Sequence, residues 1–226
     1  MSSDSTIEGR LTAVRDSLPA GVTLVAVSKF HPEEQLLEAY QAGQRVFGES
    51  HVQEMVRKHE QLPADIEWHF IGHLQTNKVK YIAPFVSMIE AVDSWRLLTE
   101  IEKHAAKCGR VIPVLLEVHV AQEETKYGWS AEELRSMLAG GEWRQLEHVR
   151  IDGLMAMATF TDDEEQVRRE FGTARRLFEE LKSEFFASAA HFCRCSWGMS
   201  DDYPIAVQCG SNMVRIGTRI FGSRGY

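Results

Sequence analysis

Residues 23–32, TLVAVSKFHP, set four consecutive apolar side chains, Leu24 to Val27, just before Ser28 and a lysine and close on Pro32. Apolar positions without alternation are the pattern of a parallel strand covered on both faces, and a proline punctuates its end. Lys29 is then an ammonium at the mouth of a core strand. Such a group must snorkel to solvent, find a partner or be used in chemistry.

Seven more strand candidates follow this one. They are RVFG from Arg45, EWHFIG from Glu67, VSMIEAV from Val86, VIPVLLEVHV from Val111, RIDGLMAM from Arg150, AHFCRCSW from Ala190 and MVRIGTRIFG from Met213. Amphipathic stretches lie between them. PEEQLLEAYQAG ends at Gly43, a residue suited to a helix stop, and DDEEQVRREFGTARRLFEELKSEF opens with acids and carries apolar residues at helical spacing. Its charged side reads as a solvated face with ion pairs. Strands alternating with helices imply parallel βαβ units, and eight of them make a (β/α)8 TIM barrel, here with an extra N-terminal helix. A doubly wound open sheet is the alternative. No Pro/Gly/Ser linker divides the chain, so residues 1–226 are expected to form a single barrel domain.

Composition bounds the function. With 44% hydrophobic and 26% charged residues the chain can bury a sizeable core. Its formal net charge of −8 argues against nucleic acid or an anionic membrane as a partner, though not against a local basic pocket for one small anion. The polar opening MSSDSTIEGRLTAVRDSL has no apolar signal core, and four cysteines show no disulfide framework, so a reducing, cytoplasmic setting is expected.

In a barrel of this kind the working residues stand at the C-terminal strand ends. Those ends offer Lys29, Glu49, His69 with Gly72 and His73, Asp93, His119, Met157, the stretch Ser196 to Ser200 that includes Met199, and Arg215 with Gly217. In SWGMSDD, Ser200 precedes two acids in the pattern of a helix N-cap. Gly217 and Thr218 can bring backbone N–H groups close to an oxyanion. Both lie in the loops after strands seven and eight, where barrels often bind phosphate, so together they read as a phosphate cup. Arg215, set among apolar residues, needs an acceptor: an internal acid such as Asp93 or Glu49, or a ligand. A strand-end lysine, a phosphate cup and an arginine across the mouth are the pieces of a pyridoxal phosphate (PLP) site, the lysine forming a Schiff base and the arginine facing the ring nitrogen.

Motifs along the whole chain carry a resemblance: AVSK at 26–29, FGES at 47–50, VQE at 52–54, WHFIGHLQTNK at 68–78, GLM at 153–155, GMSDD at 198–202 and VRIGTRIFG at 214–222. Jointly they resemble the pyridoxal-phosphate homeostasis protein family, which is similar in fold to the barrel domain of alanine racemase. The resemblance implies that Lys29 takes the aldehyde, that Ser200, Gly217 and Thr218 take the phosphate, and that Arg215 takes the pyridine nitrogen. Ser50 stands where the family often has Asn, so an amide contact to the cofactor is replaced at best by a hydroxyl.

Two other features fare worse. His69 and His73, four apart, would suit a metal on a helix but span a strand end and a loop. The CRC at 193–195 reads as core cysteine rather than a metal or redox pair. An arginine donates to the ring nitrogen and leaves it unprotonated, a poorer electron sink than a pyridinium. The expected role is therefore a non-enzymatic carrier or buffer of PLP that feeds cofactor-accepting apoenzymes, and it is expected to be a monomer. The alternative is an amino-acid racemase, which needs a base on each face of the substrate carbon. In alanine racemase the second base is a tyrosine from a further domain of the partner subunit. This chain stops at Tyr226, about where the barrel closes, and Tyr40, Tyr81, Tyr127 and Tyr203 offer no evident replacement. A cofactor-free Schiff-base aldolase is the third class. Weak exchange at an amino-acid α-carbon is compatible with the carrier role.

Overall fold

The computed structural model describes residues 6–121 and 127–223; the polar opening residues 1–5, Lys126 and the terminal Tyr226 lie outside the described residues. Eight parallel strands close into a barrel in sequence order: β1 (Thr23–Val27), β2 (Val46–Glu49), β3 (Glu67–Phe70), β4 (Met88–Val92), β5 (Ile112–Val118), β6 (Val149–Ala156), β7 (Arg194–Ser196) and β8 (Met213–Ile216). The helices are α1 (Ile7–Asp16), α2 (Glu33–Gln41), α3 (Val52–Gln61), α4 (Val79–Ile82), α5 (Trp95–Lys107), α6 (Ala131–Gly140), α7 (Glu164–Phe185), α8 (Tyr203–Gln208) and α9 (Thr218–Phe221). The barrel and the extra N-terminal helix are as the sequence led us to expect, and the open sheet is set aside.

The seam that closes the barrel is β1 against β8, in register from Thr23↔Met213 to Ala26↔Ile216. Successive side chains on a strand point to opposite sheet faces, so each strand has an inner and an outer set. The outer set joins the strands to the helical ring in one large core that includes Leu24, Ala26, Phe47, Trp68, Leu116 and Ile216. The inner set forms a separate apolar floor of Val25, Met88, Leu115, Met155 and Met213. Two residues further along β4, β5 and β8 the same inward phase carries Glu90, Glu117 and Arg215, all buried. The barrel interior is thus apolar below and polar towards its C-terminal mouth.

Local signals account for the helix ends. Gly43, at φ 88°, follows the C-cap of α2 as expected, and Asp163 caps α7 by accepting from the Glu165 and Gln166 amides. On α7 the charged side carries pairs such as Arg135–Glu180, while Val167, Phe171, Ala174 and Leu181 face the core.

Three expectations need correction. The run MVRIGTRIFG is a strand only to Ile216; from Thr218 it is α9. Ser200 does not cap a helix, because α8 begins at Tyr203 behind Asp202. The strand around CRC spans only Arg194–Ser196, so Cys195 is buried as expected but Cys193 is exposed.

Gly153 marks the tightest backbone approach in the barrel. A β-bulge shifts the β5–β6 register between Val114 and Leu115, and a Cβ on Gly153 would stand 1.8 Å from the Arg194 carbonyl oxygen on β7. Gly153→Ala should therefore force β6 and β7 apart and cost at least about 3 kcal/mol, the scale of severe overpacking. Thermal or denaturant unfolding of the variant measures this. A loss under about 1 kcal/mol would mean that the strands relax freely.

Candidate functional site

The floor is apolar, so polar chemistry must concentrate in the storey above it. Arg215 is buried on β8 and is held by three bonds: its Nη1 donates to the Ser196 carbonyl at 2.7 Å and to Ser196 Oγ at 2.6 Å, and its Nη2 donates to the Ala156 carbonyl at 3.0 Å. Ser196 in turn donates to Glu90 Oε2 at 2.5 Å, and His69 Nδ1 donates to Glu90 Oε1 at 2.7 Å. Burial pushes the Glu90 carboxyl up, but His69, Arg215 and Ser196 together outweigh it and hold it below the usual range. Glu90 and His69 thus anchor a line of contacts that ends on the guanidinium. A guanidinium has five N–H groups, and three are used here. The other two have no acceptor among the described residues.

Neither acid expected as the partner of Arg215 serves. Glu49 follows Phe47 on the outer face of β2 and pairs with Lys58 of α3 at 2.7 Å. Asp93 lies beyond β4, where it accepts from His73 at 2.9 Å and from Ser94 at 3.1 Å. The carboxylate nearest Arg215 is Glu90, at 3.9 Å.

The β1–β8 seam brings the two ends of the chain together. Val27 sits beside Gly217, whose Cβ, if it had one, would meet the Val27 carbonyl at 3.0 Å. Lys29, half-buried, lies two residues beyond Val27 in the turn Ser28–His31, closed by His31 N–H to the Ser28 carbonyl at 3.1 Å. Ser200 is buried, and its Oγ accepts from Gly217 N–H at 3.3 Å. The Thr218 and Arg219 amides at the start of α9 have no intrahelical acceptor, whereas those of Ile220 and Phe221 donate to the Gly217 carbonyl. Arg219 Nε donates to the Ser200 carbonyl at 2.5 Å, and Arg215 N–H donates to the Gly198 carbonyl at 3.0 Å, which ties the β7 loop to the β8 loop. Lys29, Ser200, Arg215, Gly217 and Thr218 therefore share one end of the barrel.

Ser50 and Met199 stand at the same rim. Ser50 packs against Gly72 and places its hydroxyl 3.2 Å from His51 Nδ1. Met199 is partly exposed, its N–H bonded to Asp202 Oδ1 at 2.5 Å. His69 and His73 part company: the first is inside on Glu90, the second at the mouth on Asp93 with Tyr127 stacked on it at 4.0 Å. The other tyrosines discussed are elsewhere: Tyr40 on Asp65, Tyr203 on Ser17, and Tyr81 exposed beside Lys80.

The comparisons with known proteins bear on this arrangement. Residues 4–225 match the family model described as alanine racemase, N-terminal domain. A pyridoxal phosphate homeostasis protein of Aquifex aeolicus is 42% identical over 205 residues, 90% of this chain and 87% of that one. PipY of Synechococcus elongatus has been solved without PLP (TM-score 0.90, 37% identity, 96% of this chain and 100% of that one) and with PLP bound (TM-score 0.87, 36% identity, the same coverage). The chain belongs to the pyridoxal phosphate homeostasis protein family. Alanine racemase of Clostridium difficile shares the fold at a TM-score of 0.78 and 13% identity, with 98% of this chain covering 57% of that one.

Within this family member, sequence reading missed Glu90 and Glu117. Both were visible as acids inside apolar runs, SMIEAV and VLLEVHV, in phase with Met88 and Leu115. The Glu117 carboxyl is buried and has no hydrogen-bond partner among the described residues. Burial first, then the Asp93 charge, push it up to about 7, against the pull of Arg215. The fold thus retains a proton there that the unfolded chain releases near its ordinary value of 4.5. Stability attached to Glu117 is therefore present below that value and is lost as pH rises to about 7. Glu117→Gln should remove this loss, gaining on the order of 3 kcal/mol over the parent at pH 8 relative to pH 4. Urea unfolding of both proteins at the two pH values checks it. An equal difference at both would show that Glu117 does not titrate abnormally.

Proposed function

We propose that this chain is a PLP-binding protein that carries or buffers the cofactor within vitamin B6 and amino-acid homeostasis. The observation that carries the reading is Arg215, a buried guanidinium fixed by Ser196 and Ala156 with two N–H groups to spare. A pyridine nitrogen is an acceptor that suits such a donor. When bound, PLP supplies an aldehyde for an amine and a ring that can withdraw electrons. The residues present fit it. Lys29 would bond to the aldehyde carbon, Ser200 with the Gly217 and Thr218 backbone would take the phosphate, and Ser50 and Met199 would line the rim. Phosphate at a hydroxyl and helix-start amides is a charge-assisted arrangement. A PLP-bound structure of PipY, a family member, supports the same ligand.

The geometry favours holding over catalysis. Arg215 stays protonated and can only donate, so the ring nitrogen it faces is left without a proton. That weakens electron withdrawal and disfavours the carbanion chemistry of a racemase. Every group named belongs to one chain, so a monomer made of a single domain over residues 1–226 is sufficient for this role, and cofactor-accepting apoenzymes are its natural partners. Among the described residues no helix is long and apolar enough to cross a membrane. The one observation that favours a second reading is Tyr127, which stands at the mouth on His73, itself bonded to Asp93. It is a tyrosine at the end of the barrel where ligands are taken.

One set of measurements tests the proposal. Borohydride reduction of protein loaded with PLP should label Lys29, and a label on Lys78 instead would refute the site. Ser200→Ala should weaken PLP by about 1.5–3 kcal/mol, the range for a bond to a charged group. Chiral analysis after incubation with L-alanine should show no sustained turnover. Rates near 10 per second, ordinary for an enzyme, would establish the racemase reading.

A further inference from the structure

Lys58 of α3 is a lysine with its ammonium completely buried. Its Nζ donates to the Ser28 carbonyl at 2.7 Å, to Glu49 Oε1 at 2.7 Å and to Glu54 Oε1 at 2.8 Å. All three ammonium protons are used. The same Glu54 oxygen accepts from Phe30 N–H at 2.7 Å, and the same Glu49 oxygen accepts from Ser28 Oγ at 2.6 Å. Burying so many charges is costly, and hydrophobic residues of similar volume could fill the space. The arrangement calls for a reason beyond packing.

The bonds have a specific target. The Ser28 carbonyl belongs to the peptide plane before the Lys29 Cα, and the Phe30 N–H belongs to the plane after it. Lys58 holds the first and Glu54 the second. Fixing both planes fixes φ and ψ at Lys29, and with them the direction in which its side chain leaves the backbone. Phe30 also needs holding, since its φ is 66°, a region that residues other than glycine enter at a cost. Glu49 secures the base of the device by joining β2 to Lys58 and to the Ser28 hydroxyl.

We propose that Lys58, Glu49 and Glu54 are positioning residues that preset the Lys29 turn for attack on an aldehyde. This rests on the reading of Lys29 as the residue that bonds to PLP. In that step the neutral Lys29 amine adds to the aldehyde carbon, one C=N bond forms in place of C=O, and one water leaves. The three α3 and β2 side chains touch neither reacting group. They lower the entropy lost when the amine is brought into line.

The test compares PLP with pyridoxine 5′-phosphate, which has the ring and phosphate but an alcohol where PLP has the aldehyde. Glu54→Ala, and Lys58→Met combined with Glu49→Gln, should weaken PLP binding by about tenfold or more. Pyridoxine 5′-phosphate should change by less than about twofold, since its contacts are untouched. Glu54→Gln, which keeps an oxygen for Phe30 N–H, should recover most of the loss. If both ligands weaken alike, the cluster is merely structural and the inference fails. Should the Lys58 double variant not fold, Glu54→Ala, altering a group nearer the surface, decides alone. Lys29→Ala separates the two claims. It must erase the preference of the parent for PLP over pyridoxine 5′-phosphate, and a preference that survives it overturns the reading of Lys29 itself.

Discussion

The parallel pairing of β1 with β8 brings residues nearly two hundred positions apart onto one rim. Val25 lies opposite Arg215 and Ala26 opposite Ile216, so the strand ends set Val27 beside Gly217, with Lys29 two residues further on at the same rim. Nothing local in either segment creates a site. In an open sheet the two edge strands would be far apart, and Arg215, with the α9 amides, would have no lysine beside them. Closure is therefore a requirement of the site as well as of the fold, because it also removes the exposed strand edges.

Closure has an electrostatic consequence. The interior above the methionine-rich floor is shielded from water, yet it holds Arg215, Glu90, Glu117 and His69. Such groups are tolerated only where they neutralise or bond one another. Three of the four do so, through Ser196 and the strand carbonyls. Glu117 departs from the rule and meets the cost by holding its proton towards neutral pH. Polar groups left over after internal pairing collect at the mouth, the end of a barrel where ligands are taken.

The fold was largely legible in the sequence, because parallel strands covered on both faces declare themselves as apolar runs. The run from Met213 misled for the same reason. Ile216, Ile220 and Phe221 are apolar throughout, but the chain turns at Gly217 and buries the last two from a helix. Lys29, Ser200, Arg215, Gly217 and Thr218 were legible as polar punctuation at strand ends, and the structure places them on one rim. Their partners were not. Which face of β2 carries Glu49 depends on the phase of the whole strand, and one step of phase moves a side chain from barrel interior to helical layer. Lys58 was hidden more deeply. In MVRKHEQ it looks like any solvated helix lysine, and only the packing of α3 over β2 and the Lys29 turn buries it.

Two basic side chains here carry opposite tasks, and their chemistry explains the division. Arg215 cannot lose its proton, so it serves where a fixed donor is wanted, and strand carbonyls with Ser196 orient its planar head. A lysine at that position could give up its charge and swing on a flexible stem. Lys58 works in the other sense: a compact ammonium with three donors spread in space can join a carbonyl and two carboxylates from three different segments. A planar guanidinium would not reach all three. The rigid donor sits inside the barrel, and the rigid clamp sits behind the Lys29 turn. In this arrangement the groups that would orient a ligand are fixed in advance, Arg215 by Ser196 and the Ala156 carbonyl, and the two peptide planes of Lys29 by Lys58 and Glu54.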